Sequence, residues 1–142
     1  TAINAGTHQG VITIALTGYT TEPAMPTALS SSGTGAAIYT SISIKPSGGN
    51  RTISSNASPT SNRGIIELNG ADNVTIDGDD PLTTGSKNLI IQSATSTTSI
   101  VACVRISSAT TTNGATNCTV KNCILLGSRP SATATNVSYG IN

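Results

Sequence analysis

Four of the six carboxylates in this sequence fall within nine residues, at Asp72, Asp77, Asp79 and Asp80. Two or three such groups could hold Ca²⁺ through hard oxygen ligands, or a pair could act as acid and base on a glycosidic bond. The local pattern argues against both. Over residues 74–78 apolar and polar residues alternate, which puts Val74, Ile76 and Gly78 on the inner face of a strand and turns Thr75 and Asp77 outward. Asp72 then lies round a corner before that strand and Asp79 and Asp80 round a corner after it, so the carboxylates do not converge. No basic residue stands out beside them to take a proton.

The other reactive types are more isolated. His8 has no Ser, Cys or Asp motif around it and is read as a loop residue. Cys118 occupies the inward place that Val74 holds in a repeated segment, and so reads as a small buried apolar residue instead of a nucleophile. Three cysteines cannot all pair within one chain, which leaves Cys103 and Cys123 open to pairing or intermolecular contact. Sequons at Asn50, Asn56, Asn73, Asn117 and Asn136 are treated as incidental, two of them arising from the repeat itself, while the wealth of Ser and Thr leaves O-glycosylation open. The sequence therefore assigns no catalytic residue, no metal ligand and no cofactor site.

The elements that would carry these residues come from an internal repeat. Residues 70–78 (GADNVTIDG) match residues 114–122 (GATNCTVKN) at a spacing of 44, and KNLIIQS at 87–93 reads as a shorter third copy. A second register joins GIIEL at 64–68 to CVRIS at 103–107, and its next return is YGIN at the end. Ile66, Val104 and Ile141 are thus spaced by 38 and 37 residues, within the range of solenoids. These segments alternate apolar and polar residues, as do VITIAL at 11–16 and SISIK at 41–45, and no window holds a 3.6-residue period. Asn-Gly at 69 and at 113 would suit the hairpins of a β-sandwich, but both fall at the same place in the repeat, which favours a recurring corner.

Composition narrows the function classes. Charged residues are 9%, aromatic residues 2%, and Ser with Thr make up roughly a third of the chain. Ile, Val and Leu cluster instead of being diluted, which argues against disorder. A net charge of +1 offers no basic face for phosphates, and no aromatic residues interleave with Lys or Arg, so nucleic acid is not an expected partner. No apolar run approaches bilayer length. The start at Thr1, without initiator Met or signal peptide, fits a mature, processed or partial chain.

The run from TAINAG through VITIALTGYTTEP, SISIKPSGG, IELNGADNVTIDG and NCTVKNCILLGS resembles large secreted bacterial proteins with pectin-lyase-like right-handed β-helix repeats, of the kind found in Bacteroidetes. The resemblance covers nearly the whole chain. It implies the fold and export, often by a type IX route with a separate C-terminal sorting domain that is not visible here. Because the family includes polysaccharide lyases and hydrolases, it also raises a carbohydrate-active or carbohydrate-binding fragment as the alternative to a structural role.

The expectations are these. The chain is all-β, a right-handed parallel β-helix (β-solenoid) of three to four coils with little or no helix. Residues 1–142 form one segment, continued in a longer chain or repeated in a filament through its end coils. The role is non-enzymatic, structural or adhesive, extracellular or at the cell surface, with surface glycans as further partners and no membrane span. Glu67 stacks on Arg105 and Asp77 on Lys121, all outward. Ile66, Leu68, Val74, Ile76, Leu89, Ile91, Val104, Ile106, Cys118 and Val120 are buried, with Asn122 also inward.

Overall fold

The computed structural model describes residues 2–57, 60, 62–83, 87–93, 101–127 and 139–141. Twelve strands appear among them, and no helix. They run β1 (Gly10–Leu16), β2 (Thr20–Thr21), β3 (Leu29–Ser30), β4 (Tyr39–Pro46), β5 (Arg51–Ser54), β6 (Arg63–Asn69), β7 (Val74–Asp77), β8 (Leu89–Gln92), β9 (Val101–Ser107), β10 (Thr119–Lys121), β11 (Cys123–Leu126) and β12 (Tyr139–Ile141). Every third strand falls in the same sheet: β1, β4, β7 and β10 in the first, β2, β5, β8 and β11 in the second, β3, β6, β9 and β12 in the third. All the pairings between named strands are parallel. The chain is therefore a parallel β-solenoid of four coils, each contributing one strand to each sheet. A sandwich of hairpins is excluded, because the antiparallel bridges, Asp80 with Thr83 and Thr110 with Asn113, are isolated and lie in loops.

The registers follow the repeat. Ile66 stands opposite Val104 and Val104 opposite Ile141, with Leu68 on Ile106. In the first sheet Thr75 stands opposite Thr119 and Ile76 opposite Val120. That sheet repeats here at 44 residues, whereas Asn69 meets Ser107 at 38. The difference of six is the loop 108–113, closed by Ala109 N–H to Asn113 O at 2.8 Å and Asn113 N–H to Thr110 O at 3.3 Å. Residues 87–93 are not a third copy of the first-sheet segment. They form β8, which stacks between β5 and β11 in the second sheet.

Alternation puts branched apolar side chains between the sheets, where Val74, Ile76, Leu89, Ile91, Cys103 and Val104 are fully buried. The corners are turned by residues in left-handed backbone, among them Asn73, Asn117 and Asn122, with φ of 56°, 53° and 54°. Asn tolerates this region because its short amide bonds locally. Here the amides also stack, Asn117 Nδ2 donating to Asn73 Oδ1 at 3.2 Å and Asn88 Nδ2 to Asn50 Oδ1 at 2.7 Å.

Several side-chain expectations fail for physical reasons. Asn122 is exposed instead of inward: its positive φ makes it a one-residue corner between β10 and β11, and its amide reaches out to Asp77 Oδ1 at 2.9 Å. Gly78, which precedes Asn122 by one coil, has the Asn122 carbonyl pressed against it and no room for a Cβ. Ile66, Ile106, Cys118 and Val120 are only half-buried, though all pack against the core. In the third sheet successive residues are buried, Ile65 in β6 and both Cys103 and Val104 in β9, so strict alternation breaks there. Glu67 is buried too, its side chain 2% exposed.

Candidate functional site

The carboxylates are held apart, each engaged by the fold. Asp72 Oδ1 accepts the Thr116 N–H at 2.8 Å and its hydroxyl at 2.7 Å, tying one first-sheet corner to the next. Asp77, at the far end of β7, meets Lys121 Nζ at 3.1 Å, Asn122 Nδ2 at 2.9 Å and the Asp79 N–H at 3.2 Å. Burial works against its charge, but these donors outweigh it and hold its pKa below the usual 3.8. Asp80 is 1% exposed and accepts the backbone N–H of Leu82 at 2.9 Å and that of Gly49, and these amides lower its pKa as well. It thereby joins the loop after β7 to the loop after β4. A general acid for glycoside cleavage needs a raised pKa. Asp77 and Asp80 have the opposite.

Glu67 is the centre of a second cluster. Its carboxylate takes Arg63 Nη2 at 2.6 Å, the Gly64 N–H at 2.7 Å and, more distantly, Arg105 Nη1 at 3.8 Å. Register with Arg105 is as expected, but the nearer partner is Arg63, four residues back on the same strand, whose Nη2 also donates to Pro26 O at 2.8 Å. The carboxylate is buried with hydrogen-bond donors around it, which is how a protein keeps such a group away from water, while Arg63, partly exposed, leaves its Nε without a partner among the described residues.

The thiols are free, Cys103 buried and Cys118 and Cys123 half-buried. Burial pushes Cys103 up to about 11 and Cys123 up to about 11, and raises Cys118 as well. Thiols so placed carry little thiolate at neutral pH and are poor nucleophiles. No group of three or more His, Cys, Asp or Glu residues among the described residues is placed to hold a metal ion, and no helix is long and apolar enough to cross a membrane.

The concave site the sequence did not announce is the mouth of the first coil. A cavity of about 540 Å³ opens there, floored by Ile42, Ile44 and Ile53 and walled by Ile12, Ile14 and Leu29. His8 and Glu22 stand at its border, and burial raises the Glu22 pKa. It arises because β2 offers Thr20 where the next coil offers Ile53, so the first coil underfills its own interior. The segment before β1 partly closes this end. Asn4 donates its amide to Ala28 O at 2.8 Å and accepts the Ser30 N–H at 3.1 Å, standing in for a strand along the edge of β3. Among the described residues no such cap lies on β1, and none pairs with its outer edge over Gly10–Leu16. Among the described residues the last coil likewise leaves β10, β11 and β12 unpaired on one side. No protein-family model matches the chain, and neither does any curated protein or solved structure.

Proposed function

We propose that this chain is a non-enzymatic structural segment of an extracellular or cell-surface protein, extended along its axis by further β-coils and offering adhesive polar surfaces. The observation that carries this reading is the state of the two ends. Ile12, Ile14, Leu16 and Leu29 in the first coil, and Cys118, Val120, Cys123 and Leu125 in the last, are core-facing side chains only half-buried. Edges of this kind pair with another strand unless something blunts them. The outward face of the first sheet supports a surface role, since Thr13, Ser43, Thr75 and Thr119 follow one another in a column across all four coils. The likeness to secreted pectin-lyase-like repeats and the scarcity of charge fit an exported protein.

Negative-stain microscopy and light scattering across a concentration series test the reading. Rods that lengthen with concentration are expected, with no release of unsaturated sugars from pectin-like polymers. A monomer at all concentrations, or turnover of such a polymer, would overturn it.

A further inference from the structure

We infer that the partner at these ends is a second copy of the same chain, bound head to tail, with the last coil of one molecule seated on the first coil of the next. This rests on the structural reading above and fixes its partner and polarity.

Charge is distributed along the axis. Residues 1–38, with the first coil, hold Glu22 and no Lys or Arg, a net −1, while residues 108–142, with the last coil, hold Lys121 and Arg129 and no carboxylate, a net +2. Opposite charge therefore faces opposite charge only when the two ends are unlike, and like ends repel. Hydrogen bonding has the same sense. In four side-chain pairs across coils the donor sits in the later coil and the acceptor in the earlier, Lys121 and Asn122 on Asp77, Arg105 on Glu67 and Thr116 on Asp72, while Asp80, which accepts the Gly49 N–H, runs the other way. The four cannot be reversed, because each acceptor is a carboxylate. The last coil ends on the exposed amides of Asn117 and Asn122.

The register of the joint follows from the columns. Ile14, Ile44, Ile76 and Val120 line up, as do Ile12, Ile42 and Val74, with Cys118 next. One more step puts Val120 of one copy on Ile14 of the next and Cys118 on Ile12, filling the mouth cavity with apolar side chains. Lys121 then lies over Ala15, which presents neither charge nor bulk. Pairing is confined to the first two sheets, since Asn4 already occupies the β3 edge. The backbone is free to pair. Leu16 O accepts the Ser47 N–H at 2.9 Å, so the even-numbered residues of β1 turn toward β4, and Val11, Thr13 and Ala15 turn their N–H and C=O groups to the open side. Gly78 N–H donates to Lys121 O at 2.9 Å, which leaves Val120 facing the opposite open side.

Unlike surfaces make a heterologous contact, and because these two lie at opposite ends of the coil axis the contact extends into a fibre instead of closing into a ring. Two proline variants separate the ends, because each removes an open-side N–H and no internal bond. Thr13→Pro blocks the first coil and Val120→Pro the last. Each alone is expected to be monomeric with an unchanged β-sheet spectrum, while an equimolar mixture forms a one-to-one dimer through its two intact ends. Lys121→Glu leaves lumen and backbone in place and is expected to weaken wild-type association several-fold. Raising ionic strength from about 0.01 M to about 1 M, which cuts the screening length from roughly 30 Å to 3 Å, is expected to do the same. If Thr13→Pro or Val120→Pro dimerises alone, the contact joins like ends and this inference fails while the structural reading stands. If no combination associates, wild type included, both fail.

Discussion

The two middle coils and the two end coils are written in the same pattern and live in different environments. Ile76 in the third coil is fully buried, whereas Val120, the next residue in its column, is half-buried, as is Ile14 at the column's other end. The side chains are alike and so is their alternation. What differs is whether a coil lies on both sides or on one. Burial in a solenoid is thus a property of position in the stack, and each coil is completed by its neighbours.

Deleting core contacts from the middle should cost far more than deleting them from the ends. Ile76→Ala opens a cavity between two coils and should cost about 2–5 kcal/mol, read from denaturant midpoints. Glu67→Ala leaves the buried Gly64 N–H without its acceptor and the partly exposed Arg63 guanidinium without its carboxylate, and should cost about 1–3 kcal/mol. Ile14→Ala, in the column of Ile76, removes a half-buried side chain at an already open mouth and should cost only about 1 kcal/mol. Equal losses at Ile76 and Ile14 would show that the first coil is covered in solution. Thiol labelling sharpens the same contrast: Cys103 should resist maleimide until the protein unfolds, while Cys118 and Cys123 react in the folded state, and their protection at high concentration would report a covered end.

The smallest effect belongs to the exposed pair. Lys121→Ala should cost about 0–1 kcal/mol, as Lys121 is half exposed. Asp77 has its pKa lowered by folding, so its contribution is fully present above the usual value of 3.8 and is lost as pH falls through the lower folded value. Asp77→Asn should flatten that part of the stability profile below about pH 4. An unchanged acid limb would remove Asp77 from the account.

The fold was legible where the repeat was long enough to fix a register. The partners of Ile66, Glu67 and Asp77 were readable because a period near 38, or 44 with its loop, places each on a defined residue in the next coil. The sheet to which residues 87–93 belong was not, since an alternating segment carries its phase but not the direction of the corner before it. Asn122 was misplaced because a one-residue corner looks like one more step of the strand. Glu67 looked solvated because its cover comes from Arg63 and the chain at Pro26, a contact across 37 residues that alternation does not encode. The mouth cavity is not legible in the sequence for a similar reason: it is a deficit, Thr20 standing where Ile53 and Ile91 stand above it, and takes shape only once the coils are stacked.

The corner between the first and second sheets has a consequence for how such a chain can change over time. In the last coil Asn122 alone makes this corner, whereas in the coil before it the chain leaves at Gly78 and returns at Asn88, whose N–H donates to Gly78 O at 2.8 Å. Nine residues, 79–87, separate those two points in sequence, Asp80 among them holding the Gly49 N–H, and the strands on either side keep the same register as the corner that has no insert. The lengthening is absorbed at a hydrogen-bonded neck, and doubling a loop costs only about 0.6 kcal/mol in closure entropy. This corner is a port through which new sequence can enter one coil at a time, by genetic drift or by design, and be displayed along a straight axis while the lumen stays as it was.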